Sequence, residues 1–125
     1  MMNKMFNATK GPAAVGPYSH AVIAGNTIYV SGQLGIDPAK GQLVEGVVSQ
    51  AKQGFINLEG ILKEAGFQLS DVVKTTVFLT DMGNFAEVNA VYGEYFSEWK
   101  PARSCVAVQS LPLGGEFEIE VVAVK

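Results

Sequence analysis

The segment Phe117-Glu118-Ile119-Glu120-Val121-Val122-Ala123-Val124 constrains the fold most, because its period-two pattern puts apolar side chains on both faces of a strand. Phe117, Ile119, Val121 and Ala123 share one face, while Val122 and Val124 lie on the other beside Glu118 and Glu120. A sheet built around such a strand needs cover on both sides. Two segments carry helical periodicity. Across residues 46–65, Val48, Ala51, Phe55, Leu58, Leu62 and Ala65 recur at spacings of three and four, and Gly66 follows as a stop. Gly54 and Gly60 weaken this helix by up to about 1 kcal/mol each relative to Ala, so tertiary packing must hold it. Across residues 84–99, Phe85, Val88, Tyr92, Tyr95, Phe96 and Trp99 form a second stripe, with Asp81 or Asn84 as cap and Pro101 beyond the end. Two helices cover one sheet face. Another copy of the chain is the economical cover for the second.

The other strands expected are residues 20–24 and 27–33 around a Gly25-Asn26 hairpin turn, Val72–Leu79, and 103–109, with a short strand before residue 10. Asp37-Pro38-Ala39-Lys40-Gly41 and Leu113-Gly114-Gly115 read as turns. At 125 residues, 48% hydrophobic and 17% charged, the chain reads as one globular domain spanning 1–125. A net charge of −3, from 9 basic and 12 acidic residues, gives no support for a nucleic-acid surface. No apolar run spans a membrane and no signal-peptide core is present. A lone cysteine, Cys105, excludes an internal disulfide framework, and the expected compartment is the cytoplasm. With one His and one Cys there is no basis for a metal site, and no glycine-rich phosphate motif points to a nucleotide cofactor.

Chemistry concentrates at Arg103-Ser104-Cys105, where Arg103 and Cys105 share a strand face. A guanidinium in an apolar strand is costly without a partner. Glu118 and Glu120 offer carboxylates. Spacing alone favours an ion pair between neighbouring strands over the alternative, a planar clamp for a ligand carboxylate with a glutamate moving a proton. It does not choose between the glutamates. A Cys105–His20 nucleophile pair lacks any sequence reason for the two to meet, and Cys105 reads as a small core residue.

Taken together, Gly16-Pro17-Tyr18-Ser19, Val30-Ser31-Gly32-Gln33 through Asp37-Pro38, Asn89-Ala90-Val91-Tyr92, Pro101-Ala102-Arg103-Ser104-Cys105-Val106-Ala107-Val108, Leu111-Pro112 and Glu118-Ile119-Glu120 resemble the RidA/YjgF family along nearly the whole chain. The resemblance implies an α+β, chorismate-mutase-like fold, a mixed β-sheet with two helices packed on one face. It also implies a homotrimeric barrel with sites at subunit interfaces, and hydrolysis of 2-imino acids to 2-keto acids and ammonia without a cofactor. It assigns the substrate carboxylate to Arg103, backbone assistance to Cys105 and water activation to Glu118. By the same resemblance Tyr18 and Ser31 match residues that line the pocket and orient ligand or water, Gly32 one that approaches the ligand through its backbone, and Asn89 a further pocket residue. A glutamate beside an arginine is expected to stay ionised. The alternative is a non-catalytic trimer that binds 2-keto acids for regulation; RNA cleavage fits the acidic balance poorly. His20 stands where Gln is frequent in the family, and Leu113 where Lys is often found.

Overall fold

In the computed structural model, which describes residues 2–125, the chain begins β1 (Lys4–Phe6), β2 (Ala21–Ala24), β3 (Thr27–Leu34), β4 (Ile36–Asp37), β5 (Gln42–Leu43) and α1 (Val47–Glu64). It continues β6 (Val72–Leu79), α2 (Phe85–Tyr95), β7 (Ala102–Ala107) and β8 (Phe117–Val124). Six strands make one mixed sheet in the order β1-β2-β3-β8-β6-β7. β6 and β7 run parallel, joined through α2, and every other neighbouring pair in that sheet is antiparallel. Both helices pack on one face, as expected.

β8 lies inside the sheet, and its alternation sorts as the sequence implies. Phe117, Ile119, Val121 and Ala123 are buried, against Phe55, Leu58, Ile61 and Leu62 of α1 and Val88, Val91 and Tyr92 of α2 in one core. Phe55 stacks on Tyr95 at 4.4 Å between ring centroids and meets Tyr92 edge-on at 5.8 Å. A Cβ at Gly54 would fall 2.7 Å from the Phe117 ring, so this glycine sets how closely α1 approaches β8. Gly60, in the same helix, faces open space. The two glycines that look alike in sequence therefore differ: one is required by packing, and the other only weakens the helix.

Some boundaries differ from expectation. α2 stops at Tyr95 rather than reaching Trp99, because Phe96 leaves helical geometry and the Trp99 indole turns to donate to the Val72 carbonyl at 2.7 Å. Asn84 takes the cap position of α2 without a side-chain bond, while Asp81 caps the 3-10 turn at Met82–Asn84 just before it, accepting from the Gly83 amide. β4 and β5 form a small ribbon around the expected Asp37 turn. The ion pair between neighbouring strands does not form. β6 lies between β7 and β8, and the row through Arg103 runs to Thr75 and then Val121, not to a glutamate.

The face away from the helices exposes Tyr29, Val73, Val106 and Val124. β7 is an edge strand, paired only with β6 and exposed along most of its length. Among the described residues, no helix is long and apolar enough to cross a membrane.

Candidate functional site

The expected site residues fall into two groups on opposite faces of the sheet. The first is built on an irregularity in β3. Val30 pairs with Val121 and Gln33 with Ile119, so Ser31 and Gly32 together face the single residue Glu120. A bulge of this kind re-aims side chains. The Ser31 hydroxyl donates to the Ser19 carbonyl at 2.6 Å, which leaves its lone pairs to accept from a ligand. Gly32 lies so close to the Glu118 carboxylate that a Cβ there would be 2.6 Å from Oε2.

Ser31, Gly32, Glu118, Glu120 and Tyr18 line a cavity of about 900 Å³, with Val15 and Leu113 among its apolar walls. Leu113 holds φ 60°, a left-handed backbone unusual for a branched side chain. The Glu118 carboxyl is pushed above its ordinary range by burial, and further by the neighbouring charge of Glu120. Within one chain no arginine lines the cavity of Glu118.

The cavity wall made by residues 7–19 is tied down at two points. The amides of Thr9 and Lys10 donate to the Glu64 carboxylate at the end of α1, holding its pKa below the usual range. His20, buried, accepts from the Ala8 amide at Nδ1 over 2.9 Å, and its Nε2 lies 2.7 Å from the Pro12 carbonyl. An accepting Nδ1 leaves Nε2 as the donor, so the ring is the neutral Nε2–H tautomer. Both nitrogens are occupied. Cys105 sits in the edge strand β7, four strands away from β2, which follows His20, so within one chain the two do not form a nucleophilic pair.

The second group lies on the helix side of the β7 edge. Arg103 and Cys105 pair with Thr75 and Val77, both buried core residues, so their side chains turn toward the helices. Arg103 Nη1 donates to Asn89 Oδ1 at 2.7 Å, and the guanidinium lies 4.6 Å from the Tyr92 ring centroid and 5.5 Å from that of Phe85. Phe85, Asn89 and Tyr92 recur at spacings of four and three on α2, one stripe meeting one guanidinium. Arg103 and Asn89 line a second, shallower cavity of about 420 Å³. Among the described residues Asn89 is the guanidinium's one hydrogen-bond partner, which leaves its other nitrogens for a ligand. The Cys105 thiol is pushed up by burial, opposed in part by Arg103, which keeps it a thiol.

Arg103, Asn89 and Cys105 thus come together, and so do Tyr18, Ser31, Gly32 and Glu118, but one chain does not join the groups. Phe85 and Tyr92 as supports of Arg103 were not legible as such, since their stripe reads as core; their i, i+7 spacing around Asn89 is the signal that carries it. The wall formed by Pro12 and Val15 comes from a segment without periodicity, and no pattern marks it.

The Endoribonuclease L-PSP family profile matches residues 8–125. A goat protein named 2-iminobutanoate/2-iminopropanoate deaminase is 51% identical over all of this chain and 92% of its own length. The crystal structure of RidA from an Antarctic Psychrobacter is 48% identical, covers 98% of this chain and 99% of its own, and superposes with a TM-score of 0.94. Escherichia coli TdcF with bound serine is 38% identical over 98% of each chain, with a TM-score of 0.93.

Proposed function

The chain belongs to the RidA/YjgF family, the Endoribonuclease L-PSP family of the profile, and from that premise we propose that it is a 2-iminobutanoate/2-iminopropanoate deaminase. The observation that carries the reading is Arg103. Its guanidinium is held by Asn89 and two aromatic rings and has no carboxylate partner among the described residues, although it sits in a chain about half identical to named imine deaminases. Such a group is suited to grip the carboxylate of a 2-imino acid through paired hydrogen bonds.

The reaction is R–C(=NH)–COO⁻ + H₂O → R–CO–COO⁻ + NH₃. Glu118 accepts a proton as water adds to the imine carbon and passes it to nitrogen; it then relays the hydroxyl proton of the tetrahedral intermediate to the amine, so that the C–N bond breaks, C=O forms and ammonia leaves. A carboxyl whose pKa is raised by burial is a better match to this double task than an ordinary surface glutamate. Ser31, its proton committed to Ser19, accepts from the imine N–H or the attacking water. Tyr18 lines the same cavity, the Cys105 backbone assists at the carboxylate, and Asn89 orients Arg103. The step transfers no electrons and calls for no redox cofactor. Binding of serine by the TdcF relative supports a small amino-acid-like ligand.

The functional unit in this reading is a homotrimer with barrel-like inner sheets, in which the open face of one copy receives the β7 edge of the next. Exposed Tyr29, Val73, Val106 and Val124 and the unpaired β7 edge support it, as does the separation of the Arg103 and Glu118 groups. Coupling a threonine dehydratase to the purified protein tests the activity. Accelerated loss of the imine supports it. Binding of 2-ketobutyrate without acceleration overturns the enzyme and leaves a regulatory keto-acid binder.

A further inference from the structure

The guanidinium of Arg103 is on an exposed edge strand, where a long side chain ordinarily samples several rotamers. Here it lies against α2. The Tyr92 ring beneath it is itself fixed: it is buried, meets Phe55 and Phe96 at 5.8 Å and 5.1 Å, and its hydroxyl is 2.8 Å from Thr75 Oγ1. Thr75 is the strand neighbour of Arg103, so backbone pairing and side-chain packing converge on the same residue. Phe85 lies one turn before Asn89 and presents a second ring at 5.5 Å.

We infer that Tyr92 is a positioning residue: together with Phe85, its ring holds the Arg103 guanidinium in place while Asn89 occupies Nη1, so that the remaining nitrogens are presented to the substrate carboxylate. The inference rests on Arg103 being that clamp. Tyr92 touches no reacting atom; it removes the cost of ordering the guanidinium when substrate binds. Its loss is therefore a loss of carboxylate binding, with the chemistry at Glu118, on the other face of the sheet, left alone.

The test measures kcat, KM and the Kd of 2-ketobutyrate for Tyr92→Leu, Tyr92→Phe and Arg103→Ala in the assembled protein. Tyr92→Leu is expected to raise KM and Kd about tenfold with kcat within about twofold. Tyr92→Phe keeps the ring, and KM stays near wild type even though Thr75 loses its partner and thermal stability falls. In the Arg103→Ala background, Tyr92→Leu has no further effect on binding. Should Tyr92→Leu fail to fold, Phe85→Leu carries the same KM-only expectation from the second ring. The inference is overturned if Tyr92→Leu, or Phe85→Leu in its place, binds 2-ketobutyrate like wild type while Arg103→Ala does not. Wild-type binding by Arg103→Ala would instead remove the clamp itself, and the positioning role with it.

Discussion

Glu118 occupies the space that a side chain at position 32 would need: a Cβ on Gly32 would lie 2.6 Å from the Glu118 carboxylate oxygen and 2.7 Å from its carboxyl carbon. The glycine is there for the neighbour's sake, since its own φ is not left-handed. Gly32→Ala must displace the carboxylate, and a shift of about 1 Å can cost about 10²-fold in rate. The expected outcome is kcat down by at least about tenfold with 2-ketobutyrate affinity near wild type, checked by steady-state kinetics and calorimetry.

The pH dependence follows from Glu118 and Glu120 sharing one cavity. Burial and the Glu120 charge both raise the Glu118 pKa, so activity that needs ionised Glu118 fails at a pH above the ordinary glutamate range as the solution is acidified. Glu120→Gln removes the second cause. The acid limb of kcat/KM then moves to lower pH, whereas a limb that stays put rules out the coupling. The profile is read directly from initial rates.

Stability separates the two glycines of α1. Gly60→Ala adds a methyl in open space and is expected to stabilise by roughly 0.5–1 kcal/mol. Gly54→Ala drives a methyl against the buried Phe117 ring at 2.7 Å and is expected to destabilise by roughly 1–3 kcal/mol. Denaturant unfolding of both variants checks the opposite signs.

His20 holds the wall of the Glu118 cavity. His20→Ala leaves the part-buried Ala8 amide and Pro12 carbonyl without their ring partner and is expected to destabilise by about 1 kcal/mol. Hydrogen exchange at Ala8 is expected to rise well before exchange in α1, because Glu64 still ties down Thr9 and Lys10.

The alternation of β8 and the stripe of α1 were readable because period two and period 3.6 report burial directly. That reading extended to the uncovered second face, inferred from Val122 and Val124. It did not extend to strand order. Whether β7 neighbours β8 decides if Arg103 can pair with a glutamate, and that is a long-range pairing which local spacing does not encode. The end of α2 departs from the helical periodicity for a related reason: Trp99 fits the stripe, but its indole finds the Val72 carbonyl on a distant strand. In the site, the residues named from the family's motifs fall into two groups on opposite faces of the sheet, and the motifs carry no information on how the two groups meet. The bulge at Ser31-Gly32 is likewise invisible in sequence, since two residues opposing one is a property of the ladder.

The central claim is that Arg103 of one copy and Glu118 of another complete a single site. Arg103→Ala and Glu118→Ala, each inactive as a uniform assembly, are to be dissociated, mixed in equal amounts and reassembled, and imine hydrolysis measured. A site shared between neighbours in a cyclic trimer is wholly wild type at about one interface in four under random mixing, so activity returns to about a quarter of that of wild type treated the same way. A mixture as inactive as its parents, with wild type recovering normally, contradicts the shared site.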